Sequence, residues 1–566
     1  MAAPRPPVTP PADLTMTAVL AHPHASYAAV AALLDGTPIA KRVVNGLAKL
    51  EALGGPELLG AIDLEAPMFL ATAGERNIVV SVAILPGSEA SVRSRLHLDP
   101  ETDTGSGGMP FTFALVKTPA GTSRLLASVD EAGMKHLGPL VTEMAADAGA
   151  PDLHLEVRAA GVRDAAIAGA RGSHGKHGEG AGSAYEQGQE VGEKLVEEVL
   201  HDVDVFAVDV SLKGGATAAL GLRFQSATSP FTRWVTGHPG RVGAPPAAFW
   251  HLPESTSLAA FSQGSDPKDL EPLRAELFPA LGDAIRDDAC PEELKYVLDR
   301  IEALLLTGGP YVVAIGGDEA AAASAVEASQ KLAHYEGAAR VRTRLAIEPW
   351  FLAELEEPAT RWTSALRELA GADAKFASCK KPKPAEGKAA KPVTEHSTMS
   401  LAAIPAGSHL PKESLHLVNK SVPVKKDGPP ASTSHIFVVP EAEHTWIAVG
   451  EDETALLARV HDALLGAPES RTLAVREGLE LLRAAPVAGG GFGTIEGIQF
   501  LGLSAGTSEE LAAASVAIEG WRALPSRGTT PIVATWTATS QEARMTVALS
   551  RAALTDLVTL ASPASP

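Results

Sequence analysis

The chain has 566 residues and a formal net charge of −20, and 45% of its residues are hydrophobic. This length predicts two to four domains, and the apolar content is high enough for buried cores and argues against global disorder. The negative charge disfavours a nucleic-acid partner because it repels phosphate groups. We also predict no transmembrane segment, since no stretch reaches the roughly 18 apolar residues that a spanning helix needs.

The proline-rich start, residues 1–12, predicts a disordered N-terminal segment. It lacks the basic start and apolar middle of a signal peptide, which favours a cytoplasmic protein. A structureless start that runs directly into a strand is also typical of a mature secreted chain whose leader has been removed. The sequence therefore leaves two locations open, the cytoplasm and an extracytoplasmic compartment.

Residues 13–245 are predicted to form a first α+β unit. Residues 111–129 read as a β-hairpin in which Pro-Ala-Gly supplies the turn. Polar and apolar residues alternate along 204–224, which predicts antiparallel strands. The apolar spacing of 191–200 predicts a surface helix.

Histidines and cysteines do not form a recognisable zinc motif. His174 and His177 are three residues apart, but they lie in the glycine-rich segment 169–189, which is predicted to be a solvated loop and not a helix. Cys290 and Cys379 share no metal-ligand spacing. Either they are two free thiols or they form a disulfide, and the sequence leaves this open.

Two further segments resemble ligand loops without matching their patterns. Asp99, Glu101 and Asp103 alternate like the opening of a calcium loop, but the glycine and the glutamate that such a loop needs are missing. Residues 487–496 are rich in glycine, yet they fit neither a dinucleotide-binding turn nor a phosphate loop. A polar loop is the better interpretation of the first segment.

A strand–turn–helix pattern recurs along the chain. It consists of a short apolar run, an Asp-Glu pair and an alanine- or leucine-rich run, and it is visible in residues 125–141, 312–326 and 446–460. Because aspartate caps helices and glutamate favours their N-terminal turn, we interpret the pairs as three helix starts and not as acidic sites. The pairs are Asp130–Glu131, Asp318–Glu319 and Asp452–Glu453.

A second similarity links residues 16–31 with 246–261, where a strand is expected to end near Pro23 or Pro253 and a short helix to follow. Together the similarities predict an α+β fold of internally duplicated units, each an antiparallel sheet with helices packed on one face. The predicted order is a first unit over 13–245, a second unit over 246–378, a Lys/Pro/Ala-rich linker over 379–398 and a C-terminal unit over 399–566.

One motif suggests an enzyme. Ser504 stands at the centre of a Gly-x-Ser-x-Gly pattern, which is typical of serine hydrolases. However, Thr507 and Glu510 resemble a capping box, so the helix would begin about three residues too late. A catalytic histidine is also expected after the serine, and none follows. A permuted triad would have to recruit His409, His416, His444 or His461, and nothing in the sequence selects one. A serine hydrolase is therefore disfavoured.

Two motifs are each present twice. They are Leu-Pro-Glu-Ser at 252–255 with Leu-Pro-Lys-Glu at 410–413, and the Gly/Asp/Glu segments 315–323 and 449–457. In these motifs the chain resembles an uncharacterised family of duplicated α+β bacterial envelope proteins, a domain of unknown function. The resemblance implies an envelope location and provides no active site to carry over.

These observations give three hypotheses for the function. The first is a non-enzymatic envelope or periplasmic protein that binds a partner or ligand through its sheet surfaces. The second is a structural or assembly subunit, and the third is an enzyme whose catalytic residues are scattered along the chain. No catalytic, cofactor-binding or metal-ligating residue is selected, and the partner and the oligomeric state stay open.

Overall fold

The computed structural model divides into two compact units. Unit 1 comprises residues 1–175, 197–226 and 541–566, and unit 2 comprises residues 176–196 and 227–540. The structure describes residues 8–35, 58–74, 77–106, 110–146, 149–163, 167, 194, 196–236, 241–285, 290–304, 308–317, 348–376, 378–379, 395–423, 431–466, 468, 471–484, 486–497 and 524–561. This division differs from the predicted boundaries because strands from different predicted units pair with one another.

The sheet of unit 1 is antiparallel at every described pairing. Its strands are β1 Leu14–Leu20, β2 Met68–Ala73, β3 Asn77–Ala83, β4 Thr104–Gly105, β5 Thr112–Lys117, β6 Ser123–Ser128, β7 Leu153–Arg158, β8 Val203–Ser211, β9 Gly215–Phe224 and β19 Glu542–Ser550. Their order is β4–β5–β6–β3–β2–β1–β7–β8–β9–β19. The last strand thus comes from the predicted C-terminal unit.

Helices lie on both faces of this sheet. The helices of unit 1 are α1 Pro23–Leu34, α2 Glu89–Arg95, α3 Glu131–Glu143 and α12 Arg551–Ala561. On one face Leu137 of α3 packs against Phe69, and on the other Val92 of α2 packs against Leu115. The alternation of buried residues along the strands produces these two apolar layers.

The strands of unit 2 are likewise antiparallel at every described pairing. They are β10 Thr256–Ser262, β11 Tyr311–Gly316, β12 Trp350–Leu355, β13 Glu395–Ala402, β14 Leu415–Pro423, β15 Ser432–Glu441, β16 His444–Gly450, β17 Gly489–Gly493 and β18 Ile532–Ala538. Their order is β13–β14–β15–β16–β12–β11–β10–β17–β18. The pairing of β12 with β16 joins the predicted second and C-terminal units in one sheet.

The helices of unit 2 also lie on both sides of its sheet. They are α4 Pro230–Thr236, α5 Ala247–His251, α6 Pro267–Ile285, α7 Pro291–Leu304, α8 Ala359–Ala370, α9 Ala372–Phe376, α10 Glu453–Leu465 and α11 Glu480–Ala484. Leu456 of α10 belongs to the large core around Phe437, whereas Trp362 of α8 packs against Leu417. Phe437 and Leu417 point to opposite faces, because Leu417 pairs with Ile436, the neighbour of Phe437.

The strands of the two units share an order of eight. In unit 1 this order is β4–β5–β6–β3–β2–β1–β7–β8, and in unit 2 it is β14–β15–β16–β12–β11–β10–β17–β18. The segments 125–141 and 446–460 therefore occupy equivalent places, each a strand followed by a capped helix. Segment 312–326 does not occupy an equivalent place. It starts on β11, and the strand of unit 1 that corresponds to β11 is β2, not β6.

Several local predictions are confirmed and others are wrong. The hairpins β5–β6 and β8–β9 form where the sequence predicts them. The expected strand and helix are reversed over 246–261: helix α5 comes first, and Pro253 begins a turn that leads into β10. The predicted linker 379–398 overlaps β13, which starts at Glu395, and residues 380–394 lie outside the described residues.

The predicted disordered segment 1–12 is described only from Val8 onwards. There the backbone N–H of Val8 donates a hydrogen bond of 2.8 Å to the carboxylate of Glu143, and Leu14 donates to the carbonyl of Pro11 at 3.1 Å. These contacts attach residues 8–12 to unit 1. Among the residues that the structure describes, every helix is too short or too polar to cross a lipid bilayer.

Candidate metal centre

The strands β14 and β15 bring two histidines to the same face of the unit 2 sheet. His416 pairs with Phe437, and Val418 pairs with His435. Since paired residues of antiparallel strands point to the same face, the two histidines are diagonal neighbours. Their ring centroids are 5.3 Å apart and the rings are nearly parallel.

A third polar side chain reaches this face from helix α10. This helix follows β16 directly, and the side chain of Asp452 caps it by accepting a 2.8 Å hydrogen bond from the backbone N–H of Ala455. Glu453 is then the first residue of the helix. The partner of His435 on β16 is Gly450, which has no side chain.

Three ligand-type atoms converge as a result. Nε2 of His416 lies 3.0 Å from Nδ1 of His435, and the same Nδ1 lies 3.2 Å from Oε2 of Glu453. The donor atoms of all three side chains lie within 4.8 Å of one another. We call His416, His435 and Glu453 the His–His–Glu cluster.

The cluster is buried at one end and open at the other. His416 is only 3% exposed, whereas the side chains of His435 and Glu453 are 13% and 38% exposed. Burial lowers the pKa of His435 below its ordinary value; nearby Glu453 opposes this shift, and His416 reinforces it. A lowered pKa favours the neutral imidazole, the form that binds metal ions.

Two imidazole nitrogens and one carboxylate oxygen suit two chemical roles. They form a hydrogen-bonded network when a proton lies between them, and they are the ligand types of zinc and related transition metals. The cluster itself contains no hydroxyl or thiol nucleophile.

A second polar cluster lies on the same sheet near the other end of β16. Glu354 of β12 is 7% exposed and contacts Nδ1 of His444. Burial raises the pKa of Glu354, while the charge and hydrogen bond of His444 act against this shift and Glu441 reinforces it. Glu441 itself accepts a 2.7 Å hydrogen bond from the indole of Trp446.

Cys290 and Cys379 are joined in a disulfide, with Cα atoms 6.2 Å apart. They also lie near Glu292, and these three form the other group of metal-ligand residues found among the described residues. Bonded sulfurs are not thiolates, so this group is not a metal site while the disulfide is intact. The choice that the sequence left open is thereby decided in favour of the disulfide.

The Asp-Glu pairs that the structure describes are helix starts, as predicted. Asp130 accepts a 2.7 Å hydrogen bond from the backbone N–H of Gly133, and Asp452 plays the equivalent part in unit 2. Glu453 has a second contact, with His435, that the capping interpretation does not include. The pair at 318–319 lies outside the described residues.

The other candidates from the sequence do not converge on one site. Asp99 accepts hydrogen bonds from two backbone N–H groups of its own loop, and Asp103 pairs with Arg93 at 2.6 Å, so this segment is a polar loop. The glycines of β17 permit close strand contact: a Cβ at Gly491 would lie 2.2 Å from the carbonyl oxygen of Ala259. Three candidates lie outside the described residues, namely His174, His177 and Ser504.

The four histidines considered for a permuted triad are separated in the structure. His416 belongs to the His–His–Glu cluster, His444 contacts Glu354, His409 lies in the loop before β14, and His461 lies on α10.

Comparison of the chain with protein-family models, curated proteins and solved structures finds no match. The site is thus interpreted from its own geometry.

Sequence reasoning missed His435 and the ligand role of Glu453. A usable signal is present, because two short apolar, strand-like runs contain one histidine each, at 415–418 and at 435–439. If these runs are paired as a hairpin, the two histidines fall on one face. Glu453 gives no such signal, since its approach depends on the packing of α10 over the sheet.

Proposed function

We propose that this protein is a non-enzymatic, extracytoplasmic protein of a bacterial envelope that binds its ligand at the His–His–Glu cluster. The observation that carries the location is the disulfide between Cys290 and Cys379. Disulfides persist in oxidising compartments and are rare in the cytosol of most organisms. The resemblance to duplicated envelope proteins supports the same location.

Binding is proposed in preference to catalysis because of what the cluster contains. Its two imidazoles and its carboxylate are ligand groups, and they are fixed on strands and on a capped helix. Rigid elements hold ligand atoms more accurately than loops do. A role as a structural or assembly subunit gains no comparable support from the described residues.

We also infer that the two units arose by duplication. The support is the common order of eight strands and the capped helix that follows β6 in unit 1 and β16 in unit 2. The histidines belong to one unit only, because the strand registers place Thr104 and Thr112 of unit 1 where unit 2 carries His416 and His435. In this proposal the copies have diverged, and ligand binding is specific to unit 2.

The location is tested on protein isolated from its native cells. Cytoplasm and envelope are fractionated, free thiols are alkylated before lysis, and intact masses are compared with and without reduction. A cytoplasmic protein with reduced cysteines serves as the control for complete alkylation. The proposal predicts an envelope-fraction chain with no alkylated thiol, lighter than its reduced form by two hydrogen atoms. A cytoplasmic chain with two alkylated cysteines would contradict it.

A further inference from the structure

The His–His–Glu cluster places three electron-rich atoms around one point. His435 Nδ1 faces the nitrogen of His416 at 3.0 Å and the carboxylate oxygen of Glu453 at 3.2 Å. These separations are too short to leave room for an intervening water molecule. Some positive charge, either a proton or a cation, must therefore lie between the three atoms.

A count of protons defines what the cluster contains. Nδ1 of His416 lies 3.0 Å from the carbonyl oxygen of Ala403, and only an N–H can donate there. Nε2 of neutral His416 therefore presents a lone pair to His435. A ring nitrogen carries one proton or one lone pair, so without a cation a single proton on His435 must serve both His416 and Glu453.

A metal ion satisfies all three atoms at once. Zinc binds histidine nitrogen at about 2.0–2.1 Å in tetrahedral geometry, which places neighbouring ligand atoms about 3.3 Å apart. The observed separations of 3.0 and 3.2 Å differ from this value by a few tenths of an ångström. The third pair, Nε2 of His416 and Oε2 of Glu453, lies within 4.8 Å, and the partly exposed side chain of Glu453 is able to make the adjustment that a shared ion requires.

The surroundings of the cluster are those of a supported ligand set. The carbonyl of Ala403 fixes the tautomer and the orientation of the His416 ring, as second-shell acceptors do for metal-binding histidines. Phe437 stacks on the same ring, with centroids 4.2 Å apart and an interplanar angle of 14°. His416 is thereby held in place before any ion arrives.

We propose that His416, His435 and Glu453 bind one divalent first-row transition-metal ion, with Zn²⁺ as the first candidate. Two imidazoles select against Mg²⁺ and Ca²⁺, which prefer oxygen ligands. The partly exposed side of the cluster, at Glu453, leaves a fourth position for water or for an exogenous ligand. The inference takes its site from the proposed function, but it does not depend on the location of the protein.

The test is calorimetric titration of the full-length, disulfide-bonded chain with ZnCl₂ after chelator treatment. Two variants change the cluster, Glu453→Gln and His435→Gln. Glu131→Gln is the matched control, because Glu131 is the first residue of the equivalent capped helix in unit 1 and forms an ion pair of 3.3 Å with exposed Lys135. A double variant, His174→Ala with His177→Ala, measures zinc bound by the predicted loop.

The inference predicts one zinc equivalent that both controls retain with unchanged affinity. His435→Gln should weaken binding by more than about 100-fold and Glu453→Gln by at least about tenfold. Circular dichroism of the metal-free variants verifies that they are folded. If His435→Gln does not fold, the decisive comparison is with Glu453→Gln, an isosteric change at a partly exposed side chain. With Co²⁺ in place of zinc, the visible spectrum should indicate nitrogen and oxygen ligands in tetrahedral geometry.

Two results would overturn the inference. One is zinc binding by Glu453→Gln and His435→Gln that equals that of the unmodified chain. The other is loss of the zinc equivalent in the His174/His177 double variant, which would assign it to the loop. Either result leaves the extracytoplasmic location unaffected, since that claim is tested by thiol alkylation.

Discussion

Removal of the disulfide is expected to destabilise unit 2 by an amount that follows from loop length. Cys290 and Cys379 are 89 residues apart, so the bond closes a long loop in the unfolded chain. The chain-entropy treatment assigns about 4–5 kcal/mol at 25 °C to a loop of this size. Measured effects are usually about 2–5 kcal/mol for native disulfides, which sets the expected range.

The structure also indicates where the effect is concentrated. The carbonyl of Cys290 accepts a hydrogen bond of 2.8 Å from Leu294 in the first turn of α7, and the N–H of Cys379 donates at 2.8 Å to Phe376 at the end of α9. Tyr296 and Phe376 pack edge to face with centroids 5.3 Å apart. The bond therefore ties the start of α7 to the end of α9.

Native-state hydrogen exchange is the appropriate assay, because a chain with two units need not unfold in one step. The unmodified chain is compared with its reduced and alkylated form and with the double variant Cys290→Ala, Cys379→Ala. The free energy of opening of the amides in α7 and α9 should fall by about 2–5 kcal/mol when the disulfide is removed. The amides in the strands of unit 1 should keep their protection. Treating the double variant with reductant is the control and should have no effect. Equal protection of α7 and α9 in the oxidised and reduced chains would contradict this prediction.

Three further predictions concern single side chains. Glu354→Gln should flatten the pH dependence of stability. Because burial raises the pKa of Glu354 above its ordinary value of 4.5, the free energy of unfolding of the unmodified chain falls as pH rises from 4.5 through the folded pKa. Thermal melting curves recorded across this pH range check the prediction. Asp452→Ala and Asp130→Ala each remove a helix cap and should cost about 1 kcal/mol in urea unfolding, whereas replacing either by Asn should cost far less. Gly491→Ala should disrupt the pairing of β17, because the added Cβ would lie 2.2 Å from the carbonyl oxygen of Ala259. Hydrogen-exchange rates in β17 that do not change on this substitution would contradict the prediction.

Features that depend on neighbouring residues could be predicted from the sequence. The hairpin β5–β6 follows from alternation and a short turn, and its turn contains Gly121 at a φ of 82°. The caps at Asp130 and Asp452 follow from the fit of aspartate to a helix start. Local chemistry determines these elements, and the structure confirms them.

Features that depend on distant pairing could not be predicted. Over 246–261 the sequence pattern predicts that a strand ends near Pro253, whereas the carbonyl of Pro253 accepts the N–H of Thr256 at 3.0 Å in a turn that leads into β10. Likewise β12 pairs with β16 across the predicted linker, which no local pattern indicates. Glu453 meets His435 only because α10 packs over the sheet, so the cluster has no signature of consecutive residues.

The central claim is that His416, His435 and Glu453 form a metal-binding site. It is tested most directly by crystallising the chain with ZnCl₂ and collecting anomalous diffraction on both sides of the zinc absorption edge. We expect an anomalous peak about 2.0–2.2 Å from Nε2 of His416, Nδ1 of His435 and Oε2 of Glu453. A map in which zinc lies elsewhere, while these three side chains keep their hydrogen-bonded contacts, would contradict the account.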